Sequence, residues 1–333
     1  MIYYDINDIK IKFLFDKAEM IDMSDEEYFS DKYKDFISNS SLKYINPKQD
    51  GCPYEYKYGS RSMSGRFLLI GTIVHMNVLQ NINPKSIFMD FPKGEKINLA
   101  IKDIVKNVKE GLSFDDALEK TFKKKYYYAT NFDIYKKNIL KEKGYFKVLM
   151  DLDEDAYLMD FNESKIIDNC INSLTPYKYE YFFSKDKIAK NEMAIFCPIE
   201  VTFKDSEDVV LLNFKCKIDN FIIDDENKTI TLNDLKTTFR ELGSFNESIT
   251  SYHYKRQMAL YLYILSNFLK KDEKYKDYIL NANIIAVSTQ TFESNLYQIS
   301  QDDIKEGTDE FIELIKRIGF HEKYGYDKLI DEL

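Results

Sequence analysis

The apolar positions change period near residue 192. Upstream of that point the chain reads mostly as helix and turn. Residues 1–60 mix short apolar runs with turn formers, and Asn46-Pro47 and Cys52-Pro53 break any helix there. From Phe67 to Leu79 the run RFLLIGTIVHMNVLQ predicts a buried helix, ended by Asn83-Pro84. Residues 97–150 read as helical, with Ser113-Phe114-Asp115-Asp116 resembling a capping box before Ala117-Leu118. A further helix is expected over 162–174. Downstream, MAIF, IEVTF, VVLLNFKCKIDNFII and TITLNDL are short runs rich in β-branched and aromatic residues, which predict strands. Asp224-Asp225-Glu226-Asn227-Lys228 between the last two reads as a hairpin turn. A helix over about 251–269, a strand NIIAVST at 283–289 and a helix over about 301–317 complete the pattern. Helices, then a strand meander, then helix, strand and helix imply an α/β fold with a mixed central sheet.

Composition narrows the classes. The chain has 333 residues, of which 44% are hydrophobic, enough for a sizeable core. With 26 Tyr, 24 Phe and no Trp, many tyrosines are expected to be half-buried, and some could stack on bases. The net charge of −9 argues against a protein that coats nucleic acid without regard to sequence. It does not exclude an enzyme whose carboxylates hold cations, because bound ions restore local positive potential. Cys52, Cys170, Cys197 and Cys216 form no CxxC pair, so zinc ribbons, redox motifs and iron–sulfur clusters lack support. Reduced thiols in a cytoplasmic protein are expected. The segment MIYYDINDIKIKFLF lacks the basic start of a signal peptide, and no apolar run reaches the ~18 residues of a membrane span.

The candidate chemistry centres on TITLNDLKTT, residues 229–238. Alternate residues of a strand share a face, so Asp234 and Lys236 point the same way. A carboxylate can hold a hard divalent cation there, while the ammonium orients or activates water and offsets developing charge. Acidic-x-Lys also occurs at Asp8, Glu55, Glu163 and Asp303, where a solvated pair is the expectation. The copy at Asp234 differs because it closes an apolar strand and follows a hairpin whose first strand holds Asp219. A charge inside such a strand is costly unless it is paired or bound to metal. The competing reading for Asp219 is an ion pair with Lys215 or Lys217.

His75 lies in the apolar helix, one turn after Gly71, a spacing that lets another backbone approach beside the imidazole. Taken alone, such a histidine is more often a hydrogen-bonded core residue. In the segment 252–261, Gln257 and Tyr261 share one helical face, next to Lys255 and Arg256. An amide, a phenol and basic groups suit a phosphate backbone, although, taken alone, an ordinary polar stripe explains them better.

In this order, Gly71-x-x-x-His75, Asp219, Asp234-Leu235-Lys236-Thr237-Thr238 and Gln257-x-x-x-Tyr261 resemble the RecB-type branch of the PD-(D/E)xK nucleases. They are nearest to the exonuclease VIII (RecE-type) family of bacteria and phages. Ile37-Ser38-Asn39-Ser40-Ser41-Leu42-Lys43 is similar to the Ser-Asn-Ser-x-Leu-Lys segment that begins such domains. The resemblance covers residues 37 to 265. It implies a restriction-endonuclease-like core with a mixed sheet flanked by helices, in one nuclease domain over 1–333. Residues 90–190 would be a mainly helical insert, and 266–333 would complete the core.

The resemblance further implies that His75, Asp219, Asp234 and the Leu235 carbonyl bind Mg²⁺ or Mn²⁺. Lys236 would assist the attacking water, and Gln257 and Tyr261 would position the scissile strand or brace Lys236. A further acidic ligand is expected on the preceding strand, with Glu192 favoured narrowly over Glu200. The implied activity is deoxyribonuclease, 5′-to-3′ from linear duplex ends, in recombination, repair or phage DNA processing. A single-strand annealing protein would be its partner, and ring-forming relatives leave an oligomer open. The alternatives are a structure-specific or single-strand endonuclease of the same fold, and a catalytically silent DNA-binding or assembly protein.

Overall fold

The computed structural model describes residues 5–59, 66–124, 131–153, 156–204 and 206–326. The chain divides into two compact units, Met1–Ile82 with Asn169–Leu333, and Asn83–Asp168. The first unit opens with two short strands, β1 (Ile9–Phe13) and β2 (Glu19–Asp22). Three short helices follow, α1 (Asp25–Tyr28), α2 (Asn39–Leu42) and α3 (Pro53–Tyr58), before the longer α4 (Arg66–Gln80). Pro47 and Pro53 open helical turns, with Asn46 and Cys52 as their N-caps. Proline's missing N–H and fixed φ are tolerated at a first helical position.

The second unit holds β3 (Ser86–Phe88), α5 (Glu95–Lys109), α6 (Phe114–Lys123), α7 (Phe132–Lys141), α8 (Lys143–Asp151) and β4 (Tyr157–Met159). Ser113 caps α6 by accepting from Asp116 N. Ile101, Ile104, Leu118, Tyr135 and Ile139 build this unit's core, and β3 and β4 pair in parallel. Helix α9 (Phe161–Tyr177) runs across the division.

The first unit resumes with β5 (Ile188–Phe203), β6 (Ser206–Asp224) and β7 (Thr229–Thr238). Then come α10 (Phe245–Ser251), α11 (Tyr254–Leu269), β8 (Ile279–Ser288), β9 (Ser294–Gln298) and α12 (Gln301–Tyr324). MAIF and IEVTF prove to be one strand. Pro198 stays within it, its carbonyl accepting from Leu14 N at 2.8 Å. The helix expected over 251–269 is split, because His253 adopts φ +54° and starts α11 afresh.

Among the described residues these strands form one seven-stranded sheet, in the order β1-β5-β6-β7-β8-β9, with β2 also on β5. The β5-β6-β7 meander is antiparallel. Strand β8 is parallel to β7, as expected where a helix, here α11, makes the crossover. The mixed sheet flanked by helices is the fold class the sequence implies. The main core unites β5 to β8 with α11 and α12, through residues such as Ile195, Phe214, Leu262 and Phe311. Tyr28, Tyr33, Ala194 and Phe196 form a separate cluster. Because 194 and 196 alternate with 195 and 197, this cluster lies on the other face of β5.

Two glycines permit close packing on the α11/α12 side. A Cβ at Gly307 would stand 2.3 Å from the Lys255 carbonyl oxygen, and one at Gly319 would stand 2.6 Å from Val201 Cγ1. No helix among the described residues is long and apolar enough to cross a membrane.

Candidate active site

The site forms where the central strands lose their regular pairing. The β5–β6 register runs through Asn191↔Asn220 and Met193↔Ile218 but skips Glu192 and Asp219. Glu192 has φ +55°, a left-handed conformation that costs a non-glycine residue energy and re-aims its side chain. The same irregularity shows in β6, whose core residues step 214, 216, 218 and then 221, 223. That three-residue step turns both Asp219 and Asn220 away from the main core. The β6–β7 ladder stops at Asn220↔Asn233. Beyond it, Asp219 Oδ2 accepts from the Leu235 amide at 2.8 Å.

Helix α4 brings His75 to this opening. Its Nδ1 lies 4.0 Å from Asp219 Oδ2. Gly71 eases the approach, since a Cβ there would sit a tight 3.0 Å from Thr237 Oγ1. His75, Glu192 and Asp219 offer ligand atoms that all lie within 4.8 Å of one another.

Burial, and then the Lys236 cation, lower the pKa of His75, which favours the neutral imidazole a metal requires. Burial, and then the Asp219 charge, raise that of Glu192. Asp219 is pushed up to about 7, by burial first and by Asp234 second. Two crowded carboxylates that resist ionisation together fit a divalent cation, which would relieve both costs. Oxygen donors suit Mg²⁺ and Mn²⁺, while an imidazole in the set leans toward the transition metal.

Asp234 and Lys236 meet beside this cluster, with Lys236 Nζ 2.7 Å from Asp234 Oδ2. Asp234 is 2% exposed, and the Lys236 ammonium beside its Oδ2 supplies the compensating charge. Burial would lower the pKa of Lys236, but Asp234 and Asp219 outweigh it and hold the pKa above its ordinary value. Gln257 Nε2 donates to Asp234 Oδ1 at 2.7 Å, so it braces the carboxylate rather than Lys236. Tyr261 stands one turn along α11 and lines the groove. Its hydroxyl pKa is raised well above the ordinary range, by burial and then by Tyr28.

The two acidic candidates on β5 separate clearly. Glu192 joins the cluster. Glu200 pairs across the sheet with Lys12 and Leu211, eight residues away, or roughly 26 Å along an extended strand.

The basic groups beside Gln257 are engaged within the protein. Lys255 pairs with Asp303 at 2.7 Å and Glu306 at 2.8 Å. Arg256, 2% exposed, bonds Glu310 and Gln49 at 2.9 Å and Asn39 at 3.1 Å. It thereby ties the Ser-Asn-Ser segment to α11. Ser38 and Ser41 form the capping box of α2 in that segment.

Asp219 pairs with neither Lys215 nor Lys217. Lys215 Nζ donates to the Tyr28 carbonyl at 2.8 Å. Lys217 bridges Glu192, at 2.9 Å, and Asp25. This role for Lys217 was missed, though the alternation Lys215, Lys217, Asp219 signals a shared strand face. His75, Asp219, Glu192 and Tyr28 line a groove of about 980 Å³ together with Phe29 and Lys217.

Residues 204–323, which carry Asp219, Asp234, Lys236, Gln257 and Tyr261, match the family model described as "PDDEXK-like domain of unknown function (DUF3799)". No curated protein matches the chain. Among solved structures, the chain is similar to a crystal structure named "Putative exonuclease" from Eubacterium rectale. The TM-score is 0.46 and the identity 13%, over 92% of this chain and 88% of that one.

Proposed function

From the premise that the core is of the PD-(D/E)xK nuclease superfamily, we propose a Mg²⁺- or Mn²⁺-dependent deoxyribonuclease that hydrolyses phosphodiester bonds from linear duplex ends. The observation that carries the reading is the convergence of His75, Glu192 and Asp219 beside the Asp234–Lys236 pair, where the β5–β6 ladder is interrupted and β6 and β7 part.

His75, Asp219, Asp234, the Leu235 carbonyl and Glu192 would hold the cation. Once bound, it would make water more acidic and neutralise charge on the phosphoryl oxygens. The remaining work falls to the chain itself. Lys236, kept protonated by its carboxylate neighbours, acts as a hydrogen-bond donor that orients the attacking water and offsets charge growing on the phosphate. Gln257 fixes Asp234, so that carboxylate does not follow Lys236 when the ammonium turns to substrate. Glu192, whose raised pKa makes it a stronger base than a free carboxylate, takes up the water's proton. Tyr261 packs along the groove wall and positions the strand.

The 5′-to-3′ polarity and a place in recombination, repair or phage DNA processing beside a single-strand annealing protein rest on the resemblance over residues 37–265. The test is end-labelled linear duplex against closed circular DNA in Mn²⁺. Release of mononucleotides from the linear form alone supports the exonuclease. Nicking of the circle would support the endonuclease reading and overturn this one.

A further inference from the structure

Four asparagines cross the sheet as a single row. Asn191, Asn220, Asn233 and Asn283 are successive register partners on β5, β6, β7 and β8. Their side chains form a continuous chain of hydrogen bonds. Asn283 Nδ2 donates to Asn233 Oδ1 at 3.0 Å, and Asn233 Nδ2 to Asn220 Oδ1 at 2.7 Å. Asn220 Nδ2 donates to Asn191 Oδ1 at 2.7 Å, and Asn191 Nδ2 ends the chain on the Phe182 carbonyl at 2.9 Å. Asn220 and Asn233 are 0% exposed, so the link between them is made without competition from water.

The row's position is informative. It occupies the rung next to the interruption of β5–β6 pairing at Glu192 and Asp219, which resumes at Met193↔Ile218, and the rung at which β6–β7 pairing ends. Each of the first three asparagines is also the chain neighbour of a site carboxylate: Asn191 of Glu192, Asn220 of Asp219 and Asn233 of Asp234. Carboxylates that crowd one another repel, and here the β5–β6 ladder is interrupted and the β6–β7 ladder ends. An amide carries both a donor and an acceptor, so a row of them clasps neighbouring strands in both directions. A slip of one residue in any strand would break the links that strand makes, which makes the row a register lock.

We propose that the Asn191–Asn220–Asn233–Asn283 row is a positioning device for the cation site. It sets the lateral spacing and register of the strands from which Glu192, Asp219 and Asp234 project. The proposal rests on the metal-dependent reading above.

The test is a triple variant, Asn220→Val with Asn233→Val and Asn283→Val, compared with wild type in three measurements: melting temperature in EDTA, calorimetric Mn²⁺ affinity, and kcat and KM on linear duplex. Removing donors and acceptors together leaves few orphaned groups, and valine favours strands, so melting in EDTA should stay near wild type. Mn²⁺ affinity should fall by about 10-fold or more, the usual effect of losing groups that orient metal ligands. The kcat should fall with it at unchanged KM, a split that loss of general stability would not produce. A folded triple variant with wild-type Mn²⁺ affinity and kcat would overturn the proposal. If the triple variant does not fold, Asn283→Val decides. It removes only the link farthest from the carboxylates, and it should weaken Mn²⁺ in the same direction by a smaller factor; unchanged affinity would again overturn the proposal. Wild type that neither binds Mn²⁺ nor cleaves would overturn the nuclease reading and this proposal together, whereas wild type that does both beside an indifferent variant overturns the row alone.

Discussion

Asp219→Asn should make the metal-free protein more stable and the metal-bound protein inactive. Asp219 is half-buried beside Asp234, and its folded-state pKa is pushed up to about 7 from 3.8. A carboxyl whose folded pKa exceeds its unfolded value contributes no penalty below about pH 4. The penalty grows as pH rises and is complete above about 7. Three units at about 1.36 kcal/mol each give an upper bound of about 4 kcal/mol. At roughly 2 °C per kcal/mol for a unit of this size, that is a loss of up to about 8 °C between pH 4 and pH 8. Asparagine keeps an oxygen to accept from the Leu235 amide and carries no charge, so the variant should lack this loss. The assay is a melting series in EDTA from pH 4 to 8.5. The variant should melt several degrees above wild type at pH 8 and level with it at pH 4. With saturating Mn²⁺ the order should reverse, since only wild type keeps the ligand. Equal melting at pH 8 in EDTA, or an equal Mn²⁺ response, would refute the reasoning.

Lys236→Met should lower kcat by at least about 100-fold while KM changes little, since the ammonium acts on charge that develops in the transition state; near-normal kcat would move the chemistry elsewhere. Glu192→Gln should weaken Mn²⁺ binding and cleavage, whereas Glu200→Gln, roughly 26 Å away on the same strand, should leave both within a factor of about two, and steady-state kinetics on both variants checks this. His75→Ala should cost more Mn²⁺ affinity than Mg²⁺ affinity, because magnesium prefers an all-oxygen shell, a contrast that titration calorimetry reads directly.

Much of this site was legible because its strands announce themselves. The alternation in KCKIDNFII and TITLNDLKTT marks two buried strands, and a charge within each is costly enough to demand an explanation. The step from 218 to 221 in the core-facing residues even records the irregularity at Asp219. What could not be read depends on distant partners. Strands β1, β2 and β9 are four or five residues long and exist because β5 and β8 offer them an edge. Glu192 and Glu200 lie on one strand, and only the backbone break at Glu192 separates them. Lys255 and Arg256 looked available for phosphate, yet Asp303, Glu306 and Glu310 on α12 claim them. Nothing in the local sequence foretells that packing.

The central claim is that this opening in the sheet cleaves DNA through a bound divalent cation. The most direct measurement is degradation of linear duplex DNA by wild type and by Asp234→Ala, each in Mn²⁺ and in EDTA, with melting curves to confirm that both are folded. Wild type in Mn²⁺ should cleave, and no other arm should. Cleavage by wild type in EDTA, or undiminished cleavage by Asp234→Ala, would contradict it.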